Sequence, residues 1–197
     1  MSRPFTALIV LLFLAGCGAV TGGSGRAPSN LDNACSIVDQ RSGYLRAFKA
    51  TERKWGVPVA VQMATIYQES KFISNARTPH RYVLGVIPRG RISSAYGYSQ
   101  ALDGTWEEYQ EKEGSWRSRR DNIRHATDFM GWYMSLTHDE LGISLTDATN
   151  QYLAYHEGRT GYRRGSYRNK AWLMRVAREV GSRSVMYHQQ LQKCRKI

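Results

Sequence analysis

Acidic residues are scarce in this chain of 197 residues: 16 Asp plus Glu face 28 Lys plus Arg, a formal charge of +12 at pH 7. Proline is scarce too, at 5, and cysteine scarcer, at 3. With 22% charged and 11% aromatic residues, so few prolines describe a globular chain and exclude disordered, low-complexity and collagen-like ones. Coiled coils and multi-span membrane proteins are excluded at the same level. No internal repeat is present, and no sustained alternation of apolar and polar residues would build a large sheet. There is no Gly-rich phosphate loop and no zinc-ligand spacing, so neither a metal nor another cofactor is expected. The length suits one domain.

What is present is a basic excess in need of an anionic partner, and nucleic acid is the usual first candidate. The N-terminus argues against it. Arg3 precedes the apolar run Phe5 to Phe13, and Leu14-Ala15-Gly16 then leads to Cys17. One positive charge, a short apolar core and small residues make a secretory signal, well short of the roughly 20 residues of a spanning helix. Leu-Ala-Gly-Cys resembles the bacterial lipobox, which implies cleavage before Cys17 and a lipid on it; an ordinary cleaved signal with an incidental Cys is the alternative. The expected organisation is a signal peptide over 1–16, a lipid-anchored flexible tether over 17–33, rich in Gly and Ser, and one folded domain over 34–197. Gly18 stands where an inner-membrane retention signal usually carries Asp. The resemblance therefore implies the inner leaflet of the outer membrane, facing the periplasm.

Export places the charge against envelope polyanions, peptidoglycan carboxylates and anionic lipid, and no nucleic-acid partner is expected. Clusters such as Arg117, Arg119, Arg120 and Arg124 are then either solvated helix faces or an attraction for acidic glycopeptide. With Cys17 lipidated, Cys35 and Cys194 remain as a pair in an oxidising compartment. A bridge between them would contribute about 5 kcal/mol in the chain-entropy model; two free thiols are the alternative.

From Cys35 onward the periodicity is mostly helical, as at Tyr44, Phe48 and Trp55 and again at Ile123, Thr127, Met130 and Met134. Tyr82 to Ile87 suits one short strand. Pro58 suits a first helical turn, and the run Val59 to Tyr67 is apolar nearly all round, as in a buried helix. That helix closes on Gln68-Glu69-Ser70. Burial and the negative end of the helix dipole both disfavour the charged form of Glu69, so its pKa is expected to rise. A carboxyl protonated near neutral pH is a general acid; a buried carboxylate satisfied by an Arg is the competing possibility.

Three motifs bear on that choice: Glu69-Ser70 ending an apolar helix, then Ala95-Tyr96-Gly97-Tyr98-Ser99-Gln100, then Tyr152-Leu153-Ala154-Tyr155-His156-Glu157-Gly158. In this order they resemble the soluble-lytic-transglycosylase (SLT) family and its goose-type-lysozyme relatives, with Glu-Ser, Gly-Leu-Met-Gln and Ala-Tyr-Asn-Ala-Gly. The resemblance covers about Tyr44 to Trp172. It implies a mainly α, lysozyme-like fold with at most a short β-hairpin or flap, the flap falling in Arg81 to Ser94. It also implies peptidoglycan glycan strands as substrate. Glu69 would be acid and base. Ser70, Gly97, Tyr98, Gln100 and Tyr155 would line the sugar groove with Tyr96, and Thr78 would contact an acetamido group. Tyr44, Trp55, Trp132 and Trp172 have helical spacing and are expected in the core.

Most glycosidases use two carboxylates. The SLT-like families use one Glu, which protonates the glycosidic oxygen and then removes the C6 hydroxyl proton, leaving a 1,6-anhydro-N-acetylmuramic acid end. Glu157 keeps a hydrolytic muramidase open, as the second carboxylate across the groove; otherwise it pairs locally with Arg159 or Arg163. A non-catalytic peptidoglycan-binding lipoprotein is the third possibility. A lipid anchor removes any need for a partner subunit, and a monomer is expected.

Overall fold

Pro58, with extended backbone, starts a helix that has almost no polar face. This is α3 (Val59–Ser70), in which every residue from Val59 to Ile66 is buried. The computed structural model describes residues 25–197 apart from residue 85; the signal segment and Cys17 lie outside the described residues. Around α3 stand α1 (Ala34–Gln40), α2 (Ser42–Trp55), α4 (Asp103–Lys112), α5 (Ile123–Leu141), α6 (Ala148–Arg163) and α7 (Ala171–Lys193), with a 3-10 turn at Ser166–Asn169. Helix α3 packs on α7, α6, α5 and α2. Such central burial is what its apolar circumference requires. Its one buried amide is used: Gln62 donates to the carbonyls of Phe48 and Val57 at 3.0 and 2.7 Å.

The fold is thus mainly α and lysozyme-like. Among the described residues no helix is long and apolar enough to cross a membrane. A two-stranded antiparallel hairpin, β1 (His80–Val83) and β2 (Ile87–Arg91), falls where the flap was expected; it is exposed on both faces.

Two clusters make the core. The larger joins α1, α2, α3, α5, α6 and α7. The smaller is aromatic, with Trp106, Tyr109, Phe129, Trp132 and Tyr133 in tilted and edge-on contacts that suit ring quadrupoles. Asp128 ties it to α2, accepting from Trp55 at 2.8 Å, Lys54 at 3.2 Å and Tyr109 at 2.6 Å. Trp172, expected in the core, is instead 50% exposed and meets the His156 ring edge-on. Its helix turns Leu173 inward and leaves the neighbouring position at the rim.

The Cys35–Cys194 bridge is formed, joining α1 to the end of α7 across 159 residues. Residues 25–33 lie along this same end: Asp32 pairs with Arg183 at 2.8 Å, and the Leu31 carbonyl accepts from Tyr187.

Candidate active site

Helix α3 delivers Glu69 at its last turn, and Lys71 then caps the helix in left-handed conformation, its N–H donating to the Tyr67 carbonyl at 3.1 Å. Phe72 is left-handed too, at φ 61°, and fully buried. Two successive non-glycine residues in this region are costly. The turn they make sends the chain away at once and leaves the helix end open beside Glu69.

Glu69 is half-buried. Enough protein surrounds its carboxyl to desolvate it, while part of the residue stays open to solvent. Desolvation raises its pKa to about 7, against weaker lowering by a hydrogen bond from Tyr152 and by the charge of Lys71. No Arg neutralises it among the groups that act on it. Tyr152 and Tyr155 lie one helical turn apart on α6, both turned toward α3. Burial raises both phenols, and the Glu69 charge raises them further. Tyr155 donates to the Ser99 carbonyl at 2.6 Å and packs edge-on against Tyr133 at 5.3 Å. It braces the second motif, while Tyr152 addresses the acid. The sequence quotes Tyr152 within its third motif but points to Tyr155 as the partner of Glu69; spacing of three along α6 is the signal that could have included both.

The second motif is a braced loop. Gly97 has φ 80°, and a Cβ there would stand 2.2 Å from the Arg120 carbonyl oxygen. The close approach needing glycine is therefore the protein's own backbone, with the Tyr98 N–H donating to that same oxygen at 3.1 Å. The Gln100 amide donates to the carbonyls of Ala76 and Gly97 at 3.0 and 2.8 Å, which holds the loop against the segment after α3.

Several expected groove residues thus serve the frame in this structure. Tyr98 is 5% exposed, and its hydroxyl shares a hydrogen bond with that of Tyr44 at 2.9 Å. Ser99 is fully buried, so Tyr98-Ser99 forms core rather than a polar groove floor. Ser70 is buried with its hydroxyl donating back to the Ile66 carbonyl at 3.2 Å. Thr78 donates to the Ser93 carbonyl at 2.9 Å, across the base of the hairpin. Tyr96 is part-exposed, with the Arg77 guanidinium 4.2 Å from its ring centre.

Glu157 belongs to another cluster. Its carboxylate accepts from Lys170 at 2.7 Å, from His156 at 3.1 Å and from the Ser166 hydroxyl. Burial pushes this carboxyl up, but the three donors together hold it down at about 2. Arg159 and Arg163, its expected local partners, pair instead with Glu140 at 2.8 and 3.6 Å. The reason is Gly158, with φ 73° and ψ 155°, which breaks α6 and swings the following turn away. Neither Glu69 nor Glu157 figures among the charges that perturb the other.

A helical lysozyme-like frame that exposes one desolvated carboxyl beside two tyrosines is that of enzymes acting on glycosidic bonds. The chain matches the family described as Transglycosylase SLT domain over residues 5–194, and it belongs to that family. It is accordingly a peptidoglycan lytic transglycosylase, a lyase of glycosidic bonds. Neither a curated protein nor a solved structure matches the chain.

Proposed function

We propose that Glu69 performs both proton transfers of a non-hydrolytic cleavage between N-acetylmuramic acid and N-acetylglucosamine, in an enzyme held to the envelope by a lipid on Cys17. Protonated, Glu69 donates to the glycosidic oxygen. The substrate's own acetamido group supports the positive charge that develops. The Glu69 carboxylate then takes the C6 hydroxyl proton as that oxygen closes on C1, giving a 1,6-anhydro end and consuming no water.

One observation carries this: a pKa near 7 lets the same group give and accept a proton at neutral pH. Tyr152 steadies the carboxylate between the two steps, and Tyr155, fixed to the Ser99 carbonyl, walls the site. The hydrolytic alternative needs a second carboxylate to activate water, and Glu157 is occupied by Lys170, Ser166 and His156. The lipobox-like Leu14-Ala15-Gly16-Cys17 supports anchoring, with 1–16 as signal, 17–33 as the link from lipid to domain, its Leu31 and Asp32 bonded to α7, and the inner leaflet of the outer membrane as destination. Lipidation of one chain needs no subunit contact, in keeping with a monomer.

The test is a pair of variants. Glu69→Gln is expected to lower cell-wall clearing by at least about a thousandfold, since each lost proton transfer costs roughly 10²–10⁴, with an unchanged circular dichroism spectrum. Retained clearing contradicts the assignment. Cys17→Ala is expected to move the protein from the membrane to the soluble fraction; continued sedimentation with membranes contradicts the anchor.

A further inference from the structure

At the end of α3 that carries Glu69, a cavity of about 510 Å³ lies between α3 and α7, within the usual size range of small-ligand sites. Tyr67, Gln68 and Lys71 form one wall and Arg175, Arg178 and Arg183 the other. Four cations thus face one carboxylate in the lining, that of Glu179. The Tyr67 ring carries both the Lys71 ammonium at 3.6 Å and the Arg183 guanidinium at 3.5 Å. Burial and then the Arg183 charge lower the Lys71 pKa, against raising by Glu179, Glu69 and Asp32. Arg183 has Asp32 as partner. Arg175 and Arg178 make no ion pair among the described residues, and both are exposed at the cavity edge. Arg175 and Arg178 are not among the groups that act on Glu69, whereas Lys71 is.

We propose that this cavity is a subsite for the carboxylates of the peptide stem that peptidoglycan carries on its muramic acid, with Arg175 and Arg178 as the principal anchors. This inference rests on the glycan reading of the Glu69 cleft. Gln68 and Lys71 flank Glu69 in the same turn, so the cavity wall and the acid are consecutive residues. An extended stem gains about 3.5 Å of reach per residue. Guanidinium forks suit carboxylates, which they bind with two parallel hydrogen bonds. Stem binding would fix the position of the muramic acid over Glu69 and select strands that still bear peptides from strands stripped of them.

The experiment measures binding by full-chain Glu69→Gln protein, which cannot consume its ligand. Two probes are used: glycan strands with stems intact and the same strands freed of peptide by an amidase. Stem-bearing strands are expected to bind about tenfold tighter, the factor that charge-assisted hydrogen bonds supply. Adding Arg175→Glu and Arg178→Glu is expected to collapse that ratio to about one. Both positions are exposed on α7, and an unchanged melting temperature confirms that the variant folds. Equal affinity for the two strands in the parent, or a ratio that survives the double substitution, overturns the subsite while leaving the cleft reading intact. Binding of neither strand overturns the cleft reading and the subsite with it. Loss of binding to phosphatidylglycerol vesicles in the double variant, with the strand ratio preserved, would give the cavity to a lipid headgroup and overturn the proposal.

Discussion

Glu69 owes its proton affinity to a balance of three influences: desolvation raises it, and Tyr152 and Lys71 lower it. The balance has a pH signature. In the proposed mechanism catalysis begins from the protonated form, so activity should fall as pH rises through about 7. Tyr152→Phe removes the hydrogen bond that favours the carboxylate and should move the alkaline limb to higher pH; an unmoved limb in the pH–rate profile would deny Tyr152 this role. Stability follows the same sign. A carboxyl with its pKa raised from 4.5 to about 7 contributes most fully below pH 4.5, and that contribution is lost as pH rises through 7. Glu69→Gln should therefore be more stable than wild type at pH 8 by about 1–3 kcal/mol, with the gap closing toward pH 4. Glu69 itself is legible in the sequence because its setting is local: the apolar run before it makes the buried helix that desolvates it. The choice between Tyr152 and Tyr155 is not, because it depends on the rotation of α6 against α3. The burial of Tyr98 and Ser70 is illegible for a similar reason, since a motif gives order along the chain but not which way each side chain turns.

Helices α6 and α7 meet through Glu157. Its side chain is 4% exposed yet covered mainly by its own partners near the surface, so solvent screening discounts the attraction to Lys170. Held at about 2 in place of 4.5, Glu157 contributes stability above pH 4.5 that disappears as pH falls toward 2. Glu157→Gln should cost about 1 kcal/mol in urea unfolding at pH 7 and little at pH 2.5, with the reaction products unchanged. A switch in product type would instead make Glu157 a participant in the chemistry. The elements themselves were largely readable. The all-round apolar pattern gave α3, and Arg81 to Ser94 suggested the hairpin later seen as β1 and β2. The kink at Gly158 has no periodic signal, and the Glu157–Lys170 bond joins residues that only the tertiary packing brings together.

Across the whole molecule, the Cys35–Cys194 bridge closes nearly the entire folded chain, with α1, Leu31 and Asp32 held against α7. Reduction under mild thiol should lower the melting temperature, the loss being at most about 5 kcal/mol in the chain-entropy limit; an unchanged melting temperature would show the bridge to be dispensable. The scarcity of acids acquires a use at this scale, because basic side chains gather on α7 beside the cleft that takes an acidic polymer. The three motifs are far apart in sequence, and only packing joins them into one site. The most direct test of the account is the mass of the fragments released from purified peptidoglycan. Products lighter than hydrolysis products by the mass of one water, and absent with Glu69→Gln, are the predicted result; fragments with free reducing ends would contradict a single-carboxyl, water-free cleavage at Glu69.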